Sequence, residues 1–419
     1  MLGYILLFGK LFVVIIQKTV SQLRLKLTSL IHRHTYKPTS NPRNIVVIGA
    51  SFAGYHAARC LANSLPTGYR VVVIEKNSHF QLTWVLPRFC VVEGYEHKAL
   101  IPYWPYLQAP LGSYQWVTGS VTTIQPGGDS KGRNGKVQVS SGDWIDYEFL
   151  VLATGSTARL PSRVNWESKE DGMKALQYQQ RRFKEARDIV VVGGGAAGVE
   201  LATDAKSQYP EKNVTLIHSH ETLLNDGFGS KMHDVAKKAI EDLGIDLVLG
   251  ERPVLPRDET GNIELGDRTV HFDCLVKCIG QKPNSDLVHF LASSAIAPSG
   301  HVNVRSTLQV NDERFSNIYA AGDLINVGTI KNGRSAMEQG QTVSQNILRA
   351  IRGEQQVIYQ QKWWEGLTKL TLGLGKSIVY LNDGHTEMTI ALRNQKIELD
   401  SAAVWKHLGA TPYKDESGA

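Results

Sequence analysis

Two glycine-rich loops in this chain have the composition of phosphate-binding turns. The first is Gly49-Ala-Ser51-Phe-Ala-Gly54 and the second is Gly193-Gly-Gly195-Ala-Ala-Gly198, and each follows an apolar run of four residues. In such a loop the first glycine permits a tight turn, the second lets the backbone approach a pyrophosphate, and the third lets a helix pack closely. The two loops are 144 residues apart. This internal repeat predicts two nucleotide sites, each with phosphates at a helix N-terminus.

The two copies differ where a ribose would bind. A second apolar strand ends at Glu75 in the first copy and at His218 in the second. A carboxylate at this position accepts hydrogen bonds from a free ribose 2′-OH, as in FAD or NAD. No acid stands at His218 to repel a 2′-phosphate, so NADPH is allowed there and NADH is not excluded. A surface role for His218 as the end of the strand is an equal alternative.

Further motifs lie at the ends of other apolar strands. One is Ala153-Thr154-Gly155 and another is Ala321-Gly322-Asp323. Open α/β sheets bind ligands at the carboxyl ends of their strands, so Asp323 could hold a polyol such as ribitol. The segment from Gly280 to Asn284 (Gly-Gln-Lys-Pro-Asn) indicates a return from one domain to another.

This ordered set of motifs, over about residues 44–355, resembles the pyridine nucleotide-disulfide oxidoreductase superfamily. The similarity is greatest to its apoptosis-inducing-factor-like branch, of the ferroptosis-suppressor or mitochondrion-associated type. The resemblance implies FAD together with NADH or NADPH, and no metal. The expected cofactor-binding residues are Gly49, Ala50, Ser51, Gly54, Glu75, Lys76, Arg88, Val121, Thr154, Gly155, Gly193, Gly195, Gly198, His218, Gly280, Gly322 and Asp323.

The resemblance also implies the fold. We expect an α/β protein with two Rossmann-type nucleotide-binding domains, the FAD domain being interrupted by the NAD(P)H domain. A small C-terminal α+β domain and an N-terminal apolar helix complete it. The expected segments are 1–43 (membrane segment and linker), 44–158 and 279–355 (FAD domain), 159–278 (NAD(P)H domain) and 356–419 (C-terminal domain).

Two residues are candidates for catalysis. In the resembling family, the glutamate of a Gly-Val-Glu segment contacts the nicotinamide, and here it is Glu200. The alternative for Glu200 is a first-turn acid favoured by the helix dipole. The branch places a lysine near the flavin after its Gly-Asp motif. In this chain Arg334 occupies the corresponding position, which puts chemistry that requires a lysine in doubt.

The cysteines do not suggest a disulfide relay, which needs a close pair because an S–S bond has tight geometry. The chain has 4 cysteines. Cys90 stands alone in its region, and Cys274 and Cys278 are interpreted as core residues of a strand. We therefore expect electrons to pass directly from flavin to an outside acceptor, and we expect the catalytic body to lie in a reducing compartment.

The charge of the 419-residue chain is uneven. Its net charge is +6, yet nine basic residues precede the first acidic one, Glu75, and the remainder has 37 basic against 40 acidic residues. A slightly acidic body argues against nucleic-acid binding. Residues 2–16 are apolar apart from Lys10.

The apolar segment favours a helix lying in a membrane interface, with Lys10, Gln17, Ser21 and Arg24 forming its polar stripe. A short membrane span with a basic flank, a mitochondrial presequence and a disordered leader are alternatives. The lipid anchor of Met-Gly chains is not expected here, because Leu2 precedes Gly3. Residues 32–42 are expected to form a polar linker.

These observations lead to one main hypothesis. The chain is expected to be a membrane-associated FAD-dependent NAD(P)H oxidoreductase, quinone reductase-like, with a mitochondrial membrane as one candidate location. One alternative is the same flavin chemistry on a specialised small molecule of a biosynthetic pathway. A second, from another class, is an apoptosis or signalling effector with a structural flavin.

Overall fold

The apolar runs and glycine loops of the sequence fold into parallel strands joined by helices. The computed structural model describes residues 2–103, 106–128, 134–266, 268–328 and 330–415. The strands are β1 (Arg43–Ile48), β2 (Tyr69–Glu75), β3 (His79–Gln81), β4 (Leu100–Pro102), β5 (Tyr114–Thr118), β6 (Val121–Gln125), β7 (Gly135–Val139), β8 (Trp144–Tyr147), β9 (Phe149–Leu152), β10 (Ser156–Thr157), β11 (Asp188–Val192), β12 (Asn213–Ile217), β13 (Asp246–Val248), β14 (Gly261–Glu264), β15 (Thr269–Phe272), β16 (Cys274–Lys277), β17 (Lys282–Pro283), β18 (Ile318–Ala320), β19 (Thr368–Thr371), β20 (Lys376–Asn382) and β21 (Glu387–Arg393).

The helices follow the same chain order. They are α1 (Leu2–Thr35), α2 (Phe52–Ala62), α3 (Leu86–Phe89), α4 (Lys169–Glu185), α5 (Ala196–Gln208), α6 (Ser230–Asp242), α7 (Asp286–Ala292), α8 (Gly333–Ile351) and α9 (Ser401–Leu408). Short 3₁₀ turns lie at Thr83–Val85, Glu96–Ala99, Ser293–Ala295, Gly322–Leu324 and Trp363–Gly366.

The chain divides into two compact units, each made of three segments. The first unit contains Met1–Ser78, Pro105–Thr157 and Lys282–Gly366. The second contains His79–Trp104, Ala158–Gln281 and Leu367–Ala419. Each glycine loop with its flanking strands therefore lies within a single unit.

The first unit is built on a five-stranded sheet in the order β18-β9-β1-β2-β5. All its pairings are parallel, with Ile45 of β1 opposite Val71 of β2 and Phe149 of β9. Residues 45–48 of β1 are buried, which suits a central strand covered on both faces. A three-stranded antiparallel sheet, β6-β7-β8, and the short pair β10-β17 complete its sheets among the described residues.

The second unit repeats the arrangement with a four-stranded sheet in the order β13-β12-β11-β16. Val190, Ile217 and Phe272 belong to one buried apolar cluster at this sheet. The C-terminal segment forms the antiparallel sheet β19-β20-β21 followed by α9. Trp405 of α9 is fully buried and its indole N–H donates to the carbonyl of Lys98 at 3.0 Å.

The predicted α/β fold is confirmed, with two Rossmann-type parallel sheets and one apolar N-terminal helix. That helix, α1, has 34 residues and continues to Thr35, so it includes the first four residues of the segment predicted as a linker. Of the helices in the described ranges, α1 is the one whose length and composition suffice to cross a membrane.

Helices α2 and α8 of the first unit pack so closely that one position admits only glycine. A Cβ atom added to Gly340 would lie 2.3 Å from the carbonyl oxygen of Ala53. Such a contact is well inside van der Waals distance, so the helices would have to separate.

We expect Gly340→Ala to destabilise the protein by roughly 1–3 kcal/mol, the usual cost of overpacking a core. Thermal unfolding of the purified variant measures this loss. Gly9→Ala is the control, because nothing lies within 4 Å of its added Cβ. Equal melting temperatures for the two variants would contradict the close approach of the helices.

Candidate functional site

The first glycine loop is held tightly at the carboxyl end of β1. Gly49 has a φ of +90°, and a Cβ there would lie 2.5 Å from the carbonyl oxygen of Ala153. A Cβ on Gly54 would lie 1.8 Å from the oxygen of Gly49. Both positions therefore need glycine, for the turn and for the close approach of α2. Ser51 is the N-cap residue of α2, and its hydroxyl makes no capping hydrogen bond.

Glu75, at the end of β2, is buried beside this loop. One carboxylate oxygen accepts the amide N–H of Ala50 at 2.6 Å, and the other accepts the backbone and side-chain N–H groups of Asn77 at 2.8 and 2.7 Å. These bonds hold the carboxylate next to the glycine loop. The geometry fits a ribose-binding acid, because the oxygen that accepts the Ala50 amide keeps a second lone pair.

The two other motifs of the first unit converge on the same sheet edge. The Thr154 hydroxyl donates to the carbonyl of Asn284 at 2.8 Å, and the Asn284 side chain donates back to the carbonyl of Thr154 at 2.8 Å. The Asn284 amide donates to the carbonyl of Gly155 at 3.0 Å. The structure thus joins the motif after β9 to the end of the predicted return segment.

Gly322 and Asp323 follow β18, the neighbour of β9. The Gly322 amide donates to Oε1 of Gln339 on α8 at 2.8 Å, and the Ser156 hydroxyl donates to the Asp323 carboxylate at 3.2 Å. A Cβ on Gly322 would lie 3.3 Å from that of Ala53. Strand ends of β1, β2, β9 and β18 therefore present their predicted residues along one edge of one sheet.

The second glycine loop reproduces the first in the second unit. Gly193 has a φ of +115°, and a Cβ there would lie 2.4 Å from the carbonyl oxygen of Cys278. A Cβ on Gly198 would lie 1.8 Å from the oxygen of Gly193. Gly195, the N-cap of α5, has open space around its Cβ position. That space at a helix N-terminus fits the approach of a pyrophosphate.

His218 takes the place that Glu75 occupies in the first unit. It follows β12 and is buried, and its Nδ1 accepts the amide N–H of Gly194 at 3.1 Å. The equivalent bond in the first unit joins the Ala50 amide to Glu75. Because Nδ1 is the acceptor, the neutral ring carries its hydrogen on Nε2. Burial, with His220 beside it, lowers the pKa of His218.

The predicted catalytic residue Glu200 lies in a buried polar cluster of the second unit. The main-chain amide of Thr371 on β19 donates to Oε1 of Glu200 at 2.9 Å. Asp204, one turn further along α5, pairs with Arg88 of α3 through two bonds of 2.8 and 3.0 Å. Both side chains of this ion pair are fully buried. Arg88 also donates to the carbonyl of Gly373 at 2.9 Å.

This environment controls the charge of Glu200. Burial raises the pKa of Glu200 to about 8, the Thr371 amide opposes the rise, and the Asp204 carboxylate adds to it. Burial also raises the pKa of Asp204, and Arg88 opposes that rise. Glu200 is therefore a neutral acid at pH 7, able to donate a hydrogen bond.

The remaining predicted site residues lie outside the two glycine loops and the strand-end motifs described above. Arg88 is bonded entirely within its buried cluster, so its predicted cofactor contact stays a prediction. Lys76 is exposed just after Glu75, and Val121 begins β6, where it pairs with Val139. Gly280 is exposed with a φ of +69°. Arg334, in the first turn of α8, is exposed in part and lies near Glu365 and Glu338.

All four cysteines are free thiols. Burial raises the pKa of Cys274 to about 11 and that of Cys278 to about 12. Burial also raises the pKa of Cys90, and Cys278 and Cys274 lie near enough to add to the rise. Thiols in this state are poor nucleophiles, because the thiolate is the reactive form.

Four residues of the sites were missed by the sequence interpretation. They are Asn77, Gln339, Asp204 and Thr371. Asp204 carried a usable signal, since an acid four residues after Glu200 shares its helix face. The contribution of Thr371 is a backbone amide, which no residue type reveals.

One group of possible metal ligands, Asp188, His271 and Asp273, lies on the second unit. The Asp273 carboxylate already accepts the amide N–H groups of Arg187 and Asp188 at 3.0 Å each, and Asn213 donates to Asp188 at 2.7 Å. These bonds explain the arrangement without an ion.

Comparison with known proteins identifies the family. Residues 43–340 match the family model described as pyridine nucleotide-disulphide oxidoreductase. The chain belongs to this family. The match covers both glycine loops and the Gly322-Asp323 turn, so the family resemblance inferred from the motifs is confirmed.

Two known proteins are similar to this chain over most of their length. The chain is 32% identical over 395 residues to Fe-regulated protein 8 of Mycosarcoma maydis, covering 88% of this chain and 96% of that protein. It is 30% identical over 322 residues to ferroptosis suppressor protein 1 of Homo sapiens, covering 75% and 82%.

Solved structures share the fold. The sulfide:quinone oxidoreductase of Aquifex aeolicus superposes with a TM-score of 0.70 at 18% identity, over 87% of this chain and 90% of that one. Membership of the family confirms an FAD-dependent NAD(P)H oxidoreductase and hence the two expected cofactors.

We expect the stability difference between Glu200→Gln and wild type to increase with pH. The folded pKa of about 8 lies above the ordinary glutamate pKa of 4.5, so the stability linked to Glu200 is present at low pH and is lost as pH rises through about 8. Glutamine keeps the acceptor for Thr371 and cannot ionise.

Melting temperatures of both proteins between pH 5 and 8.5 measure this effect. The exposed Glu211→Gln is the control and should follow wild type at every pH. A constant difference between Glu200→Gln and wild type across this range would show that Glu200 ionises normally.

Proposed function

We propose that this chain is a membrane-associated oxidoreductase that transfers a hydride from NAD(P)H to FAD and then electrons to a quinone-class acceptor. The observation that carries the proposal is a hydrogen bond that occurs in both units, from an amide of the glycine loop to the side chain at the end of the next strand. The side chain that accepts this bond differs between the units. The Ala50 amide bonds to Glu75 in one unit, and the Gly194 amide bonds to His218 in the other. The Glu75 carboxylate suits a nucleotide with a free ribose 2′-OH, and the uncharged His218 also admits one with a 2′-phosphate.

FAD belongs in the first unit under this proposal. The loop from Gly49 to Gly54 would hold its pyrophosphate, Glu75 its adenosine ribose, and Asp323 its ribitol hydroxyls. Bound FAD supplies the two-electron chemistry of the reaction. The residues of this unit bind and orient it, and none of them needs to form a covalent bond.

NAD(P)H belongs in the second unit. Gly195 would leave room for its pyrophosphate, and His218 would face its ribose without a negative charge. Glu200 is neutral at pH 7 and could donate its hydrogen to the carboxamide oxygen of the nicotinamide. The Thr371 amide would hold Glu200 in place, beside the buried Arg88–Asp204 ion pair.

The acceptor is proposed from chemistry of the chain itself. The raised pKa values of Cys90, Cys274 and Cys278 argue against a thiolate relay. Helix α1 exposes apolar side chains that suit contact with lipid. An acceptor that dissolves in the lipid phase accounts for both features.

The first experiment follows the flavin absorbance of the purified full chain after anaerobic addition of NADH or NADPH, and then of a ubiquinone analogue. Bleaching by nucleotide and recovery with quinone are expected. No bleaching by either nucleotide would overturn the enzyme proposal. Bleaching without recovery would favour a specialised small-molecule acceptor.

We expect Gly195→Asp to raise KM for NAD(P)H by at least about tenfold without loss of FAD. Asp is a favourable N-cap residue, and Gly195 has a φ of −70° with free space, so folding should persist. Its charge would repel the pyrophosphate. Gly195→Ser is the matched control, since Ser51 holds this position in the first loop. A similar KM for both variants would show that the pyrophosphate does not bind at Gly195.

We expect His218→Glu to lower kcat/KM for NADPH at least about tenfold relative to NADH. The new carboxylate would repel a 2′-phosphate while still accepting the Gly194 amide. Stopped-flow reduction with each nucleotide gives the ratio, and the uncharged His218→Gln should leave it near the wild-type value. An unchanged ratio in His218→Glu would remove His218 from the ribose site.

A further inference from the structure

Helix α1 turns one narrow stripe of residues toward the first unit. Among its described residues, those that are buried or half-buried recur every three or four residues from Gly3 to Ser21, and again at Ser29 and His32, as expected for one face of a helix. They are Gly3, Leu7, Leu11, Val14, Lys18, Ser21, Ser29 and His32. Of the predicted polar stripe, only Ser21 faces this way, while Lys10, Gln17 and Arg24 are exposed.

Specific bonds hold this inner stripe along the first unit. The Lys18 ammonium pairs with Glu338 of α8 and lies 4.3 Å from the ring centre of Trp364. The Ser29 hydroxyl bonds to the side chain of Asn63 at 2.7 Å, and Nε2 of His32 bonds to the carbonyl of Leu65 at 2.7 Å.

The length of the docked stripe argues against a membrane span. Buried Leu7 and His32 are 25 residues apart, which is about 38 Å of helix. The hydrocarbon core of a bilayer is only about 30 Å thick. The bonds described above hold Lys18, Ser29 and His32 to the rest of the first unit. The 16 residues of α1 that precede Lys18 are about 24 Å long, which is too short to cross that core.

The outer face of α1 is broad and apolar. Fourteen of its large apolar side chains are exposed: Tyr4, Ile5, Leu6, Phe8, Phe12, Val13, Ile15, Ile16, Val20, Leu23, Leu25, Leu27, Leu30 and Ile31. The exposed charged side chains among them are the cations Lys10, Arg24, Lys26 and Arg33, and no acidic residue precedes Glu75. Apolar side chains interspersed with cations complement acyl chains and phosphate headgroups.

We propose that α1 lies flat in the interface of a bilayer that contains anionic phospholipid, with the first unit fixed on its inner face through the Lys18–Glu338–Trp364 contact. A second copy of the chain would not explain the cations, which would then face each other. The bilayer surface satisfies the apolar side chains and the cations together.

The position of Lys18 has a functional consequence, which rests on the proposed function. Glu338 lies one turn from Arg334 on α8, and Gln339 of the same helix holds the amide of Gly322. The Lys18 contact thus ties the membrane surface to the helix that carries the predicted residue Arg334 and that holds the predicted residue Gly322 through Gln339. An acceptor dissolved in the bilayer would approach the first unit along this helix.

The orientation is tested on sealed membranes from cells that express the full chain with an N-terminal tag and a C-terminal epitope. Added protease should remove both markers equally without detergent, because a flat helix leaves both on one side. Protection of one marker alone would show a span and overturn the proposal.

The lipid surface is tested by flotation of the purified full chain with vesicles of phosphatidylcholine, with or without phosphatidylserine. We expect flotation to increase with phosphatidylserine and to fall at least about tenfold in the triple variant Phe8→Ser/Phe12→Ser/Ile16→Ser. The control changes Val254 and Phe290 to Ser, which are exposed outside α1. Unchanged flotation of the triple variant, or a stable dimer in place of flotation, would overturn the proposal.

The Lys18 contact is tested by Lys18→Met/Glu338→Gln, which removes both charges and leaves neither unpaired. Flotation should persist, while turnover of a long-chain quinone in the vesicles should fall several-fold relative to a short soluble quinone. Lys18→Arg, made with Glu338 intact, should keep the wild-type ratio of long-chain to short-chain quinone turnover. An unchanged ratio would remove the contact from the proposal; absence of turnover with every acceptor would overturn the proposed function and leave the flotation result standing.

Discussion

The lack of room for a Cβ atom at Gly49 and Gly193 is the constraint on which both nucleotide units depend. In each unit the loop backbone lies against a carbonyl of the neighbouring strand, Ala153 in one and Cys278 in the other. This approach turns the next amides toward the strand-end side chain, so that Ala50 meets Glu75 and Gly194 meets His218. The close contact between the loop glycine and this carbonyl therefore determines both the path of the loop and the position of the side chain that would bind the ribose.

The buried cluster around Glu200 shows how discontinuous segments form one site. Arg88, Asp204 and the backbone near Gly373 come from three separate stretches, yet their bonds lie within one unit. A buried ion pair adds little net stability by itself. Burial is the main reason that the pKa of Glu200 is raised; within the ion pair, the Asp204 carboxylate adds to the rise and Arg88 opposes it.

Sequence reasoning predicted what depends on local pattern. The glycine spacing and apolar runs predicted both parallel sheets, and the positions of Glu75 and His218 followed from strand ends. It could not predict contacts made by backbone atoms, such as the Thr371 amide. It placed the polar stripe of α1 on Lys10, Gln17, Ser21 and Arg24, of which all but Ser21 are exposed. Periodicity alone could not show that Lys18, Ser29 and His32 have partners in the folded unit.

The bond between Glu200 and Thr371 also determines when the second unit can finish folding during synthesis. The two residues are 171 positions apart, and a ribosome adds about 5–20 residues each second. For that interval the new chain has Glu200 but not the strand that receives it. Glu200 would remain hydrated and ionised as an ordinary surface acid. The second unit therefore reaches its final electrostatic state only after β19 has been synthesised and the Thr371 amide has bonded to Glu200.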